Sequence, residues 1–394
     1  MTIEQTKGLH AMISSKYTIR EQNEANILKT IIDQKEISRA EVSVKTGLNK
    51  ASVSAITKKL MEDELILETR VGDASNAGGR KPIMLTFNRQ AALVIAFDLG
   101  YNYIEAMLAY IDGTVVGTVS KRRIPVTSAN IVAQIQETIH HFQDLQPNTP
   151  HGIVGMTIAI HGVVHRDLPI FTPYYDLDHL DLQKELQNLY DFPIFVHNEA
   201  NLAALGEYTF SSQYQSLVSI SIHSGIGAGI VEAGRLQLGK HGQAGEIGHS
   251  ILYPEGRPCP CGNHGCLEQY ASNKVTYDEF AALKGLDYVN SEILLSYVQK
   301  EDPEALQLLR RNASLLSIGI NNIAMLYDPD IVVINSSLYR RIPAMVEMVS
   351  KDLKSRFSKD IIVRNTHLED KATLYGAFAV SAQNFLNIQK LKLN

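Results

Sequence analysis

Apolar residues recur at helical spacing early in the chain and give way to strand-like runs further on. Ile27, Leu28, Ile31 and Ile32 fall at i, i+1, i+4 and i+5, one face of an amphipathic helix in a compact helical unit over 22–68. Ser38 can cap a second helix, with Glu41 three residues on completing a capping box. That helix stops at Thr46-Gly47, where glycine supplies left-handed backbone. Asn49 can cap a third helix over 50–62 with Val53, Ile56 and Leu60 on its inner face. Two short helices around a tight Gly-containing turn form the helix-turn-helix pattern. Two strand candidates, 65–68 and 84–87, then flank a polar, Gly-rich stretch and read as a wing. The stretch is either a flexible linker or a DNA-contacting loop. Gly78-Gly79-Arg80-Lys81-Pro82, two adjacent cations between small residues, suits phosphates or a minor groove.

After about Ala91 strands and helices alternate, an α/β signature. An apolar strand over 92–97 ends in Asp98-Leu99-Gly100. Strands over 103–110 and 115–120 follow, joined at Asp112-Gly113, a hairpin signal. The unit recurs at 217–222, followed by an expected turn at Gly225-Ile226-Gly227-Ala228-Gly229 and a second Gly turn at Ala233-Gly234. Two related lobes facing a cleft are therefore expected. Helix 303–326, strands 331–334 and 361–363, and a closing helix over 371–386 complete the pattern. The expected division is 1–88 for the DNA-binding unit, 91–198 plus 371–394 for the first lobe, and 199–370 for the second.

Composition narrows the class. Of 394 residues 45% are hydrophobic and 20% charged, which excludes a disordered or collagen-like chain. No apolar run approaches the ~20 residues that span a bilayer, and no leader pattern opens the chain, so a cytoplasmic protein without a membrane segment is expected. Charge is uneven. Up to Arg89 there are 14 basic and 11 acidic residues, and the remainder holds 23 and 31 of the 37 and 42 in all. A net +3 front on a net −8 body suits an anionic partner for the front.

The three cysteines, Cys259, Cys261 and Cys266, lie within eight residues, and His249 precedes them. Three thiolates and one imidazole are the donor set of a closed tetrahedral structural zinc site, with no open position for catalysis. The alternative is three buried free cysteines. A second set is polar: Asn198-Glu199 after a strand over 193–197, then Glu246, His249 and Glu268 around the cysteine loop. Rigidly held carboxylates and amides are what the hydroxyls of a polyol need once desolvated. Singly, each could be a solvated surface group. The Gly-bearing segments at Gly100 and Gly225–Gly229 could cradle phosphate or simply turn the chain; neither matches a Walker or Rossmann fingerprint.

Together these motifs resemble the ROK family (repressors, open reading frames, sugar kinases). Gly245-Glu246-Ile247-Gly248-His249 and Cys259-Pro260-Cys261-Gly262-Asn263-His264-Gly265-Cys266-Leu267-Glu268 look like its signature. Asn198-Glu199-Ala200-Asn201-Leu202 is similar to its sugar-binding segment, and the helix-turn-helix with a Gly-Gly-Arg-Lys-Pro wing places the chain with the family's repressors, above all its xylose-responsive branch. The resemblance runs from about Asn23 to the end. It implies an N-terminal winged helix-turn-helix followed by a two-lobed actin/hexokinase-like, ribonuclease H-like α/β body, with sugar in the cleft. It maps Asn198, Glu199, Glu246, His249 and Glu268 onto sugar contacts, His249 doubling as a zinc ligand.

The chain departs from the family's kinases at their nucleotide segments. Where those read Asp-x-Gly-Gly-Thr, this chain has Asp98-Leu99-Gly100-Tyr101-Asn102, putting Tyr101 where backbone must approach phosphate. His223-Ser224-Gly225 replaces Gly-Thr-Gly, Asn335-Ser336-Ser337 replaces a late Gly-Gly, Glu199 replaces the catalytic Asp, and His161-Gly162 replaces a Pro-Gly. The expected protein is a non-enzymatic, sugar-responsive repressor with degenerate ATP-binding loops. Lys50, Ser52, Ser54 and Lys58 on the third helix would meet operator DNA, with Arg80 and Lys81 on the wing. A homodimer or dimer of dimers, a structural zinc and an aldose effector, xylose first, complete the expectation. The rival is an ATP-dependent sugar kinase with an accessory DNA-binding domain; a DNA-binding protein with a vestigial sugar pocket is a third reading.

Overall fold

A computed structural model describes residues 19–71 and 81–393. Helix α1 (Ile19–Gln34) buries Ile27, Leu28 and Ile31. Strand β1 (Ile37–Ser38) leads into α2 (Arg39–Thr46), where the Ser38–Glu41 capping box forms in both directions and Gly47 ends the helix at φ 72°. Asn49 caps α3 (Lys50–Glu62) by accepting from the Ser52 N–H at 2.8 Å. Strands β2 (Ile66–Val71) and β3 (Ile83–Phe87) pair antiparallel, and β1 adds to β3 through Ile37 opposite Leu85. A winged helix-turn-helix results.

The body is built on two five-stranded sheets. The first contains β4 (Leu93–Gly100), β5 (Tyr103–Tyr110), β6 (Val115–Arg122), β7 (Ile153–Ile160) and, beyond the short hairpin β8 (Val163–His165) and β9 (Leu168–Phe171), β10 (Ile194–Asn198). Its order is β10-β7-β4-β5-β6, with β10, β7 and β4 parallel and the β4–β5–β6 edge antiparallel. Helix α4 (Ile131–Leu145) covers one face through Ile131, Ile135, Ile139 and Phe142. After α5 (Leu182–Gln187) and β10 comes α6 (Glu199–Phe210).

The second sheet repeats the design. Strands β11 (Leu217–Ile222), β12 (Ile226–Glu232) and β13 (Arg235–Leu236) are antiparallel, while β14 (Ile331–Asn335) and β15 (Ile362–Asn365) run parallel to β11. Helices α7 (Glu268–Ala271), α8 (Asn273–Lys284), α9 (Ser291–Val298), α10 (Pro303–Tyr327), α11 (Ser337–Arg341) and α12 (Ala344–Asp352) pack on its outer side. Helix α13 (Ala372–Leu386) returns to the first sheet and, with α6, fills the space between the sheets.

One expected turn is a strand. Gly227 and Gly229 lie within β12, paired with Ser221 and Ser219, and the chain reverses at 223–225 instead. A side chain at Gly229 would collide with the Ala200 carbonyl, so the glycines admit α6 directly onto the sheet. The turn at Ala233-Gly234 forms as expected, both residues at positive φ. No described helix is long and apolar enough to cross a membrane.

Candidate functional site: a polar cleft beside a four-ligand loop

The parallel strands β4, β7 and β10 point their carboxyl ends at one cleft, the place where α/β sheets bind ligands. Asn198, Glu199, Glu246, His249 and Glu268 all line it, in a cavity of about 130 Å³. Asn198 ends β10 and caps α6: its Oδ1 accepts from the Asn201 N–H at 3.0 Å, and its Nδ2 donates to the Gly162 carbonyl at 2.8 Å. Glu199 opens α6, nearly buried. Its Oε1 accepts from Ser221 and Thr373 hydroxyls, each at 3.0 Å, and lies 3.6 Å from His223 Nε2. Burial would raise its carboxyl, but His223 and then His161 outweigh burial and hold it down at about 2.

Further residues carry the cleft floor. The Tyr103 hydroxyl donates to Asp98 Oδ2 at 3.2 Å and sits 2.9 Å from His161 Nε2, which is itself 2.9 Å from Asp98 Oδ1. Burial opposes a charged His161, yet the Asp98 carboxylate overrides it and lifts the imidazole to about 9. The rings of His161 and His223 stand edge to face with centroids 5.8 Å apart. Asp98, His161, His223 and Glu199 thus form a continuous run of opposed charges and imidazoles. The Tyr103 ring, not that of Tyr101, lies against Gly100; Tyr101 is half exposed at the mouth, its ring 6.4 Å from Tyr174. The Tyr174 hydroxyl reaches across the cleft to the Ser224 carbonyl at 3.3 Å.

On the opposite wall Glu246 and Glu268 face His249. His249 Nε2 is 3.8 Å from Glu246 Oε2, and its Nδ1 is 3.9 Å from Glu268 Oε1. Burial, then the Glu268 charge, push the Glu246 carboxyl up to about 7. Glu268 Oε2 accepts from the Ile226 N–H, and its Oε1 from Gln269.

Behind that wall His249, Cys259, Cys261 and Cys266 bring one donor atom each to within 4.8 Å of one another. The Cys261 and Cys266 sulfurs are 3.7 Å apart, and Cys259 Sγ is 3.5 Å from His249 Nδ1. Zinc–sulfur bonds of ~2.3 Å at tetrahedral angles give edges of about 3.8 Å, so the four could hold a metal ion. Single bridges pairing Ile251 with Cys266 and Pro258 with His264 close the loop, and Gly262 and Gly265 take positive φ to turn it.

On the winged unit Lys50, Ser54 and Lys58 are exposed along α3, while Ser52 is half-buried. Lys58 Nζ is 3.7 Å from Glu62, and Lys81 is exposed. Arg80 lies outside the described residues. Sequence reasoning missed Tyr103, Thr373 and the pairing of Asp98 with His161. The one available signal was the presence of histidine at 161 and 223 in place of the small or rigid residues of the kinases.

Comparison with known proteins extends this. A ROK family profile matches residues 94–384, and a winged helix-turn-helix DNA-binding profile matches 20–66. The xylose repressor of Bacillus subtilis strain 168 is 32% identical over 352 residues, covering 87% of this chain and 89% of the relative. The crystal structure of a ROK family transcriptional regulator, a homolog of the E. coli MLC protein, superposes with a TM-score of 0.80 at 26% identity, covering 94% of this chain and 98% of that one. A ROK family glucokinase from Streptomyces griseus, solved with glucose and AMPPNP, matches with a TM-score of 0.64 at 26% identity over 74% of this chain and 99% of its own.

Proposed function

The chain belongs to the ROK family, and from that premise we propose that it is a sugar-responsive, DNA-binding transcriptional repressor that releases operator DNA when an aldose fills the cleft. The observation that carries this reading is the convergence of Asn198, Glu199, Glu246, His249 and Glu268 on one cavity in a chain that also bears a winged helix-turn-helix. A cavity of about 130 Å³ is close to the ~150 Å³ that admits a single six-membered ring, the scale of a pyranose. Carboxylates accept from sugar hydroxyls, and His249 Nε2 and the Asn198 amide answer with donors. D-Xylose is the first candidate because relatives 32% and 30% identical are named xylose repressors, whereas an N-acetylglucosamine repressor that aligns along 97% of the chain is 25% identical. The regulated genes are then those of carbohydrate utilisation, and the working unit a dimer on a palindromic site.

Zinc is the metal this reading places on His249, Cys259, Cys261 and Cys266. Bound there it would fix the loop that presents Glu246, His249 and Glu268, a structural role. His249 would give Nδ1 to the metal and keep Nε2 for the cleft.

Phosphoryl transfer fits the floor poorly. Asp98 is engaged by His161 and Tyr103, the Tyr103 ring covers Gly100, and Asn335 and Ser336 are buried in hydrogen bonds with Ser221 and Asn273. Glu199, held near 2, is a weak proton acceptor at neutral pH, where a general base works best with a matched pKa. Calorimetry with D-xylose, D-glucose and AMPPNP, beside a coupled ATP-consumption assay on the same sugars, tests the reading. Heat with an aldose, none with AMPPNP and no turnover support it. Sugar-dependent ATP consumption near the ~10 s⁻¹ typical of enzymes would make the protein a kinase.

A further inference from the structure

The sugar cleft and the DNA-reading helix lie at opposite ends of one helix, α13. At its first turn Thr373 is buried and donates its hydroxyl to Glu199 Oε1 at 3.0 Å. At its last turn the Phe385 ring packs edge-on against His151, centroids 5.2 Å apart. His151 Nε2 lies 2.8 Å from the Asp63 carbonyl. Carbonyl oxygen only accepts, so this nitrogen carries the proton and donates. Asp63 is the C-cap of α3, the second helix of the helix-turn-helix.

What lies between is stiff. The fifteen residues of α13 make a rod of about 20 Å. It is pinned to β7 by a buried hydroxyl pair, Thr157 and Ser381, at 2.8 Å. Against α6 it packs backbone to backbone: a side chain on Gly376 would strike the Leu202 carbonyl, and one on Gly206 the Ala372 carbonyl. Its apolar side continues without a break into the winged unit. Phe378, Leu386, Ile388 and Leu391 share one buried core with Ile27, Leu28 and Ile31 of α1. The winged unit is therefore seated on the body, not tethered to it.

We infer that α13 transmits the state of the sugar cleft to the DNA-reading helix, with Thr373 as the positioning residue at the cleft end and His151 as the contact at the DNA end. The inference rests on the repressor reading and names its route. A sugar hydroxyl that engages Glu199 competes for the carboxylate that holds Thr373. Any shift of that first turn is carried along the rod because neither crossing can absorb it, and it reaches Asp63 through Phe385 and His151. Ligand and DNA then bias the same element, the condition for coupling between separate sites.

The test uses the full chain, D-xylose, and a fluorescein-labelled duplex selected by the wild-type protein from a random pool. Anisotropy measures duplex affinity with and without sugar, and calorimetry measures sugar affinity with and without duplex. Saturating xylose is expected to weaken wild-type duplex binding by roughly 5- to 150-fold. His151→Ala is expected to bind the duplex without sugar, and the sugar without duplex, within about threefold of wild type, while the mutual effect of the two ligands falls to about twofold or less by reciprocity. Thr373→Val, whatever it does to sugar affinity by itself, should equalise the sugar affinities measured with and without duplex, and Thr373→Ser, which keeps the hydroxyl, should retain the difference. A lost buried contact alone would lower the melting temperature without equalising the two sugar affinities. If Thr373→Val does not fold, Phe385→Leu carries the test from the other end. Full sugar-induced release in His151→Ala together with Thr373→Val or Phe385→Leu overturns the route and leaves the repressor reading intact. A wild-type protein that binds no sugar, or binds it without weakening the duplex, overturns the repressor reading itself and the route with it.

Discussion

The cysteine loop and the cleft floor are both clusters of polar side chains, and they are held together by opposite means. The loop gathers His249, Cys259, Cys261 and Cys266 from one short stretch, and its donors point at a common centre. Thiols and an imidazole so arranged could hold a metal ion, and under the proposed reading a cation from outside would hold the loop. The floor gathers Asp98, Tyr103, His161, Glu199, His223 and Thr373 from the ends of separate elements, and its members satisfy one another. One region should fail when an ion is withdrawn, the other when any one member is removed.

Metal withdrawal should give the largest effect. Structural zinc in small peptides contributes an apparent ~10–16 kcal/mol at neutral pH. The expected protein carries one zinc per chain by elemental analysis. Stripping it with a strong chelator, or making Cys266→Ser, should lower the Tm by roughly 10 °C or more and remove xylose binding, because Glu246, His249 and Glu268 lose their support. Protein purified without metal and melting at the same temperature would remove the contrast between the two regions.

Next comes the floor. His161→Leu leaves the Asp98 carboxylate buried with only the Tyr103 hydroxyl. Breaking a buried pair in this way costs about 3–5 kcal/mol. Asp98→Asn combined with His161→Leu should recover part of that loss, since residues in contact are not additive. Simple addition of the two single losses in the double variant would show that the floor is not one network. Urea unfolding of the three variants reads this directly.

That these two regions differ in design also explains what could be read from the residues alone. The cysteine loop, the Ser38–Glu41 box, Gly47 and the Asn49 cap all act over a few residues, so spacing carries them, and each stands where the pattern puts it. Asp98 and His161 meet through the pairing of β4 with β7, which no local pattern encodes. Tyr103 looked like the first residue of a strand, which it is; its ring on Gly100 follows from β4–β5 register. Gly227 and Gly229 misled for a related reason. Glycine in sequence reads as a turn, whereas here it serves the close approach of α6 to β12, a long-range packing demand. Asn198 was legible as a polar cleft residue, but not as the cap of α6 and the anchor of Gly162.

Alkaline pH should loosen the floor by a smaller amount. His161 is held up at about 9 in the folded protein against an ordinary 6.5. A raised pKa means its contribution is complete below pH 6.5 and is lost as pH climbs through 9, for a total of about 3 kcal/mol at ~1.4 kcal/mol per pKa unit. The denaturant midpoint of the wild type should therefore fall over that window, and His161→Leu should fall less. Parallel profiles for the two proteins would place the titrating group elsewhere.

The smallest effect belongs to the winged unit, where the local logic of the cysteine loop recurs without any ion. Ser38→Ala removes one half of the capping box of α2 and should cost about 1 kcal/mol. Because α1 to α3 share a buried core with α13, that loss should lower the stability of the first lobe as well as the head. A head that merely hung on a linker would instead show a separate, earlier transition in calorimetry, with the main transition unmoved. The Ser38→Ala endotherm thus distinguishes a seated head from a tethered one, and only a seated head can be turned by a body that closes on sugar.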